Sequence, residues 1–371
     1  MTTGESSAAY HGGAFWDAIG DRFDDLSRAD RIVNADVLDA WFPPAPRIVD
    51  QIREHLPWLI RTSPPTHVEG FRKAVAESRG VPIESVLPGA GSSSLMFLAI
   101  PRWVPPGGRA LVLSPSYGEY PHLLEKVAGV EVVRHDLSRS RGFRPDLDRL
   151  AEQISQGVDF VAIVNPNSPT GVPLPAGELE TLIDNSPETT RFWIDETYTD
   201  YAGQGFSLEA LAAERPNVVV SKSMSKAYAL SGLRVAYLIG PPDLVSSWVR
   251  FAPPWSVDLP AQIAGTLALD DREYYPSKWA ETASLRESLA SGLKKLGFEV
   301  VPSAANFLFA MTDPSAVPPE TIAARCRKQG VYLRTFPEAR ADIRDSAIRV
   351  AVKGPEEQSR ILDALESSLR P

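Results

Sequence analysis

Short apolar runs alternate with helix-like segments through the middle of the chain, between about residues 85 and 240. The runs are rich in β-branched residues and are bounded by Pro, Gly, Asn or Ser, which is typical of buried strands. They are ALVLSP (110–115), VEVVRHDL (130–137), FVAIVNP (160–166), RFWIDE (191–196), NVVVSKS (217–223) and RVAYLIG (234–240). Because strands that alternate with helices form a mostly parallel sheet covered on both faces, the pattern predicts an α/β fold.

The pattern changes after residue 252. A long helical region (257–296) precedes three strand-like runs, FEVVPS, NFLFAM and AIRVAV, and an amphipathic closing helix, EEQSRILDALESSL. This order is typical of an α+β unit. We therefore expect a large domain over 46–252, a smaller α+β domain over 253–371, and an N-terminal segment, 1–45, that packs on the smaller domain.

Composition and charge exclude several classes of protein. The 371 residues carry 38 basic and 47 acidic side chains, a net charge of −9, which argues against nucleic-acid binding. The five histidines are scattered, so no metal site is expected. The single cysteine, Cys326, cannot form an internal disulfide, and we expect an inert thiol in a reducing compartment. No signal peptide or membrane span is apparent, so a cytoplasmic location is expected.

The segment SKSMSKAYALSGLR places Lys226 just after a predicted strand, with Ser223 before it and Arg234 eight residues later. A lysine amine can form an imine with an aldehyde, and nearby cations and desolvation keep it nucleophilic. Serine hydroxyls and an arginine can hold a phosphate dianion. The combination predicts a site for a phosphorylated aldehyde, although a Ser-Lys pair alone also fits a solvated turn.

Asp195 ends the apolar run FWID, and Tyr198 follows three residues later. A buried acid is costly unless it is paired. Beside a pyridine nitrogen it would keep that nitrogen protonated and make the ring an electron sink. The alternative is an aspartate that caps a helix.

Two glycine- or proline-rich turns follow other predicted strands. VNPNSPTG (164–171) forces a turn that presents amide side chains, and GAGSSS (89–94) enters an apolar helix whose first N–H groups can bind phosphate. GAGSSS also resembles a weak dinucleotide fingerprint, but it lacks the third glycine at the proper spacing.

The order and spacing of these four features resemble those of fold-type I pyridoxal 5′-phosphate (PLP) enzymes. The chain is similar to class I and II aminotransferases, in the branch of histidinol-phosphate aminotransferase and threonine-phosphate decarboxylase, over roughly residues 30–368. The resemblance implies the type I PLP-dependent transferase fold, a PLP cofactor and a homodimer.

The resemblance also implies a role for each matching residue. Lys226 would hold PLP as a Schiff base, and Asp195 and Tyr198 would bind the ring nitrogen and the phenolic oxygen. Four residues would bind the cofactor phosphate: Ser92, Ser93, Ser223 and Arg234. Tyr117 in SPSYGEY would stack on the ring, Arg349 in AIRVAV would bind the substrate carboxylate, and Arg334 in VYLRTF would face a distal phosphate.

The chain departs from the family pattern in three places. Ser168 replaces the family's second internal asparagine, so Asn167 or Asn165 is expected to meet the ring oxygen instead. Ser63 stands where relatives carry a tyrosine that reaches across the dimer. The segment 33–46 carries Asp36, Asp39 and Trp41 near the expected substrate position, which favours a specialised substrate.

The function expected from this resemblance is an aminotransferase that moves an amino group between an amino acid, with or without an anionic distal group, and a 2-oxo acid. The alternative is a PLP-dependent decarboxylase or another lyase or replacement enzyme, because relatives in this branch do both. A non-enzymatic binding module would have no need to keep Lys226, Asp195 and Arg349 together.

Overall fold

The computed structural model describes residues 12–20, 22–313 and 317–370. Within these residues the strands are β1 Val33–Ala35, β2 Val86–Gly89, β3 Arg109–Ser114, β4 Glu131–Asp136, β5 Phe160–Val164, β6 Arg191–Asp195, β7 Val218–Ser223, β8 Ala236–Ile239, β9 Glu299–Val301, β10 Phe307–Met311, β11 Val331–Leu333 and β12 Ala347–Ala351.

The helices in the same residues are α1 Trp16–Ile19, α2 Pro46–Arg61, α3 Glu69–Arg79, α4 Ser92–Trp103, α5 Glu119–His122, α6 Leu147–Ser155, α7 Ala176–Asp184, α8 Thr199–Ala202, α9 Glu209–Glu214, α10 Met224–Ala227, α11 Pro242–Val249, α12 Leu259–Asp270, α13 Tyr274–Lys295, α14 Pro319–Arg327, α15 Ala341–Arg344 and α16 Pro355–Leu369.

A seven-stranded sheet in the order β2-β8-β7-β6-β5-β3-β4 forms the centre of the molecule. Strand β8 runs antiparallel to both of its neighbours, and the pairs among β3, β4, β5, β6 and β7 are parallel. Every residue of β5 is buried, as expected for a strand covered on both faces. The predicted α/β fold with a mostly parallel central sheet is confirmed.

The six strands predicted from apolar runs are all present, and the sequence missed β2. This strand is short and contains Pro88, so it lacks the long apolar run that marked the others. The predicted helical region 257–296 is two helices, α12 and α13. It divides at Asp271, whose side chain accepts hydrogen bonds from the backbone N–H groups of Glu273 and Tyr274 at 3.1 and 2.8 Å. The second helix therefore begins at a new capping residue.

A second, antiparallel sheet in the order β12-β10-β9 lies in the C-terminal part of the chain. Strand β1 pairs in parallel with β11, with Val33 opposite Val331, so the chain after β1 runs across the C-terminal part of the molecule. The boundaries at residues 45 and 252 stay a prediction, and residues 1–11 of the N-terminal segment lie outside the described part.

Two further expectations concern single features. Cys326 is buried in α14, where its thiol lies 3.3 Å from the Ser368 hydroxyl and burial raises its pKa. Among the described residues, no helix has the length and the apolar character needed to cross a membrane.

Candidate active site

Four neighbouring parallel strands, β3, β5, β6 and β7, end side by side at one edge of the large sheet. The loops that follow these strands carry Tyr117, Ser168, Tyr198 and Lys226. The carboxyl edge of an open α/β sheet is where such folds bind ligands. The sequence therefore brings residues that are far apart in the chain to one place.

Asp195 ends β6 as a fully buried carboxyl group. Its Oδ1 accepts hydrogen bonds from the Thr197 backbone N–H at 3.0 Å and the Thr197 hydroxyl at 2.6 Å. Its Oδ2 accepts a hydrogen bond from the Tyr120 hydroxyl at 2.7 Å. Burial raises the pKa of Asp195, whereas the hydrogen bonds from Thr197 and Tyr120 lower it. These donors favour a carboxylate that can accept a further hydrogen bond.

Tyr120 is a site residue that the sequence analysis missed. Its hydroxyl donates to Asp195 and accepts a hydrogen bond from the Trp193 indole N–H at 2.9 Å, in a fully buried position. The segment YPHLLEKV predicted only a helix, and nothing in its pattern separates Tyr120 from an ordinary core aromatic residue.

Lys226 lies in α10, the short helix that directly follows β7. Its ammonium nitrogen donates to Oδ1 of Asp39 at 3.0 Å. Burial lowers the pKa of Lys226, and Arg349 and Arg234 lower it further, while Asp39 opposes them. A lowered pKa is the condition under which a lysine becomes a nucleophile and a base near neutral pH.

The start of α4 and the loop after α10 form a cup of donors. Helix α4 begins at Ser92, after Gly91 with a φ of +86°, and Ser93 follows in its first turn. A side chain at Gly91 would collide with the Arg234 guanidinium, so only glycine allows this approach. Arg234 donates to the Ser225 hydroxyl at 3.4 Å. Backbone N–H groups of a first helical turn together with an arginine suit a phosphate.

Ser223 begins α10 and lies beside this cup. Its hydroxyl accepts a hydrogen bond from the Ser225 backbone N–H at 3.3 Å and is buried. The hydroxyl therefore caps the short helix that carries Lys226, which is a contact the sequence did not predict.

Ser168 occupies the position where the family pattern has asparagine. Its hydroxyl accepts a hydrogen bond from Nη1 of Arg349 at 3.1 Å and also hydrogen-bonds to Tyr198. Tyr198 is buried with its ring edge-on to Phe307, and burial raises its pKa. Ser168 thus joins Tyr198 to Arg349.

The side chains of Asn167 and Asn165 hydrogen-bond to the loops around them. Asn167 donates to the Pro115 carbonyl and the Thr170 hydroxyl, each at 3.0 Å, and its oxygen accepts from Ser116 at 3.1 Å. Asn165 donates to the Leu174 carbonyl and accepts from the Leu174 N–H. The expectation that one of these amides meets the ring oxygen in place of the missing asparagine stays a prediction, and Ser168 is the residue that contacts Tyr198 and Arg349.

Arg349 in β12 reaches this edge from the C-terminal sheet. Its guanidinium donates to Ser168 and, at 2.9 Å, to the Asp36 carbonyl, and it lies 5.5 Å from the Phe307 ring centre. Its Nε is buried without a hydrogen-bond partner among the described residues. Burial lowers the pKa of Arg349 to about 10. An incompletely paired buried guanidinium is ready for a carboxylate.

Arg334 lies beside Arg349 and faces Asp36. The two arginines form an antiparallel bridge, with backbone N···O distances of 3.2 and 2.9 Å. The Asp36 carboxylate lies 3.6 Å from the Arg334 guanidinium and accepts from the Gly13 N–H at 2.8 Å. Asp36, predicted to bind substrate, therefore uses its carboxylate to position Arg334 and its carbonyl to position Arg349.

A cleft of about 870 Å³ opens next to this group. Its inner wall includes Tyr117, Ser168, Arg334 and Arg349, and it extends outward past Lys126 and Arg134. Burial raises the pKa of Tyr117 to about 12, so its hydroxyl stays protonated. Trp41, also expected near the substrate, instead donates its indole N–H to Thr282 at 2.9 Å.

This arrangement suits an enzyme that holds a phosphorylated aromatic aldehyde at the end of a parallel sheet. The model of the family "Aminotransferase class I and II" matches residues 38–365. A histidinol-phosphate aminotransferase of Symbiobacterium thermophilum is 31% identical over 88% of this chain and 87% of its own length. The chain therefore belongs to the class I and II aminotransferase family, and it is a PLP-dependent aminotransferase.

Solved structures share the fold. The histidinol-phosphate aminotransferase of Sinorhizobium meliloti, in complex with PLP, has a TM-score of 0.82 at 22% identity and covers 99% of both chains. The L-threonine-O-3-phosphate decarboxylase of Porphyromonas gingivalis has a TM-score of 0.78 at 21% identity and covers 91% of this chain and 99% of its own. The predicted type I fold and PLP cofactor are confirmed.

Proposed function

We propose that Lys226 is the lysine that binds PLP and that the surrounding residues hold the rest of the cofactor. The residues fit this group, because the cup at Gly91 and Arg234 offers donors to a phosphate and the Asp195 carboxylate can accept a hydrogen bond from a protonated ring nitrogen. Tyr198 and Ser168 would hold the phenolic oxygen, and Tyr117 would pack on the ring. Ser92, Ser93 and Ser223 complete the phosphate side.

PLP, when bound, withdraws electrons from the Cα of an attached amino acid and so weakens the bonds at that carbon. The chain supplies orientation and proton transfer. Arg349 binds the substrate carboxylate and so fixes which Cα bond faces the ring. Lys226, with its lowered pKa, would take the proton from Cα and deliver it to the aldehyde-derived carbon of the cofactor, so that the amino group stays on the cofactor. Loss of that proton rather than CO₂ is what transamination requires.

We propose amino acids with an anionic distal group as substrates. The observation that carries this proposal is Arg334, which lies beside Arg349 in the same cleft. Lys126 and Arg134 extend the cationic lining outward, although Glu125 lies within 2.6 Å of Arg134. The relatives named above are described by substrates that carry a phosphate, which agrees with this choice.

Paired substrates test the proposal directly. Single turnovers of the PLP-loaded enzyme would be followed by cofactor absorbance with phosphothreonine against threonine, glutamate against glutamine, and histidinol phosphate against histidinol. At least one anionic member is expected to react at least about tenfold faster than its neutral partner, a difference of about 1.4 kcal/mol. Equal rates within every pair would contradict the proposal.

The same experiment distinguishes reaction types and tests Arg334. For transamination we expect conversion of the cofactor to its amine form with one equivalent of 2-oxo acid from an amino acid, or of the corresponding ketone from histidinol phosphate, which has no carboxylate. Release of CO₂ from an amino acid would indicate the decarboxylase. Arg334→Gln is expected to remove the preference for the anionic partner. Arg344→Gln is the matched control, because Arg344 pairs with Asp345 at 2.8 Å and is exposed. Equal loss in both variants would argue against a direct role for Arg334.

We also propose that the enzyme is a cytoplasmic homodimer. Several large apolar side chains are exposed on the single chain, among them Trp58, Ile60, Phe251 and Trp255. Exposed aromatic residues of this kind are typical of interfaces. Light scattering of the full chain should give twice the mass of 40.5 kDa. A monomer at micromolar concentration would contradict the dimer.

A further inference from the structure

The N-terminal segment that follows β1 is fixed at four successive points. Arg349 donates to the Asp36 carbonyl, Asn306 to the Leu38 carbonyl at 2.9 Å, and Lys353 to the Asp39 carbonyl at 3.3 Å. Trp41 donates to Thr282 at 2.9 Å. These bonds span more than 200 positions of sequence, so the path of residues 36–41 is set by the tertiary structure.

This path carries the Asp39 carboxylate to Lys226. Oδ1 of Asp39 accepts from the Lys226 ammonium at 3.0 Å and from the Ser231 hydroxyl at 2.7 Å. The Ser231 hydroxyl lies 2.9 Å from the Ser225 carbonyl, so the same loop that carries Lys226 also holds Asp39. Asp39 was expected only to lie near the substrate, and no local sequence pattern predicted this contact.

We propose that Asp39 is a positioning residue for Lys226, which holds the lysine amine in place and favours its protonated form during the proton transfers of the reaction. The proposal rests on the proposed role of Lys226. It adds a residue of this chain that the family motifs do not contain, delivered by the unusual segment 33–46.

Asp39 offsets the positive charges that surround Lys226. Arg234, Arg349 and Lys353 are the cationic neighbours, and each disfavours a further positive charge. Among the described residues, Asp39 is the carboxylate that lies in direct contact with the Lys226 amine. Burial by itself raises the pKa of Asp39, but Lys226, Ser231 and Lys353 hold it below its usual value. Asp39 therefore remains a carboxylate over the working pH range.

The test is the pH dependence of Lys226 itself in the cofactor-free protein. Reductive methylation would be run from pH 6 to 11, and modification of the peptide that contains Lys226 would be quantified by mass spectrometry. Asp39→Asn is expected to lower the apparent pKa of Lys226 by at least about one unit, because an opposite charge in contact shifts a pKa by roughly 1–3 units. Asp50→Asn is the matched control, since Asp50 is an exposed carboxylate that pairs with Arg53.

Each outcome decides the proposal. A shift in Asp39→Asn but not in Asp50→Asn supports it, and identical profiles in wild type and Asp39→Asn overturn it. An equal shift in both variants also overturns it, because the effect would then be one of general charge. Asp39→Ser, which removes the carboxylate and leaves a smaller polar side chain, gives a second test if Asp39→Asn does not accumulate. The expected shift is in the same direction and of similar size, and no shift overturns the proposal.

A parallel measurement separates this proposal from the one on which it rests. Wild-type protein would be incubated with PLP and borohydride, and the modified lysine would be identified by mass spectrometry. Modification at a lysine other than Lys226 would contradict the proposed function. Modification at Lys226 with an unaltered Asp39→Asn pH profile would contradict the role of Asp39 alone.

Discussion

Two groups of charged residues lie near the ends of β6 and β7 but have different properties, and one of them has a fully buried lysine whereas the other contains the partly exposed Lys226 and Asp39. The site cluster consists of Asp39, Asp195 and Lys226. The ion cluster joins Glu196 and Lys222, at the ends of β6 and β7, to three residues of helices α3, α8 and α9, namely Arg79, Asp200 and Glu209. Asp195 and Glu196 are adjacent, and Lys222 and Lys226 are four residues apart, so sequence distance does not separate the clusters.

The number of carboxylates around each lysine separates them. Lys222 lies 3.4, 3.3 and 3.9 Å from Glu196, Asp200 and Glu209. Burial alone lowers the pKa of Lys222, but these three acids raise it overall. Lys226 has one carboxylate in contact, and its pKa is lowered. Lys222, with three acidic neighbours, therefore stays charged. Lys226, with one, has a lowered pKa and can act as a base.

Lys226→Ala is expected to have the largest effect on function. Removal of the amine should abolish borohydride-dependent attachment of PLP and reduce turnover by several orders of magnitude, as loss of a covalent catalyst does in other enzymes, about 10⁶-fold in one case. Intact mass and a single-turnover assay measure the two effects. The free energy of unfolding should change little, because the Asp39 carboxylate left without its partner is 37% exposed and water can solvate it. PLP attachment that persisted in this variant would show that Lys226 is not the cofactor lysine.

Lys222→Met is expected to give the largest loss of stability. It leaves three buried acids with only Arg79 as a counter-ion, and breaking a buried ion pair from one side costs about 3–5 kcal/mol. Urea unfolding measures this cost. Lys73→Met, which removes an exposed lysine 3.8 Å from Glu77, is the control and should cost under about 1 kcal/mol. Attachment of PLP at Lys226 should survive in both variants. Equal stability losses would contradict the distinction between the clusters.

The sequence predicted the members of the site cluster that lie at strand ends. It did not predict contacts between residues that are far apart in the chain. Asp195 and Lys226 were found because each ends or follows an apolar strand. Tyr120 is 75 residues from Asp195, and Asp39 is 187 residues from Lys226. No local pattern can report such pairs, because they depend on how β1 and α5 pack. The expected role of Asn167 at the ring oxygen stays a prediction, and its amide also donates to the Pro115 carbonyl and the Thr170 hydroxyl.

The ion cluster escaped sequence analysis for a different reason. Glu196, Asp200 and Glu209 lie at the starts of short helical segments, where acids are common and usually solvated. Only the fold shows that they converge on Lys222. The signal available in the sequence was Lys222 itself, a lysine within the apolar run NVVVSKS.

Glu196→Gln tests the ion cluster through the pH dependence of the free energy of unfolding. Burial raises the pKa of Glu196 to about 7, above its ordinary value of 4.5. Between these values the folded protein holds a proton that the unfolded chain has released, so the contribution of Glu196 to stability is full below pH 4.5 and falls as pH rises toward 7. The loss amounts to about 3 kcal/mol. Urea unfolding from pH 5 to 8 should give a flatter profile for Glu196→Gln than for wild type, and parallel profiles would contradict this prediction.

Two tyrosines provide the smallest and most selective comparison. Tyr120 is hydrogen-bonded to Trp193 and Asp195, and Tyr237 is hydrogen-bonded to Arg79 and Glu209 at 2.9 Å each. Both are fully buried. Tyr120→Phe therefore removes a buried hydroxyl group next to the site cluster, and Tyr237→Phe removes one next to the ion cluster.

Tyr120→Phe is expected to lower kcat roughly tenfold with little change in KM, because a hydrogen bond to a charged group contributes about 1.5–3 kcal/mol and Thr197 retains part of it. Loss of the Tyr120 donor raises the pKa of Asp195, so the acid limb of the pH–rate profile should move to higher pH. Tyr237→Phe should leave that limb in place and lower the free energy of unfolding by about 1–2 kcal/mol. If both variants moved the acid limb equally, the two clusters would act as one network, and the assignment of Tyr120 to the site would be wrong.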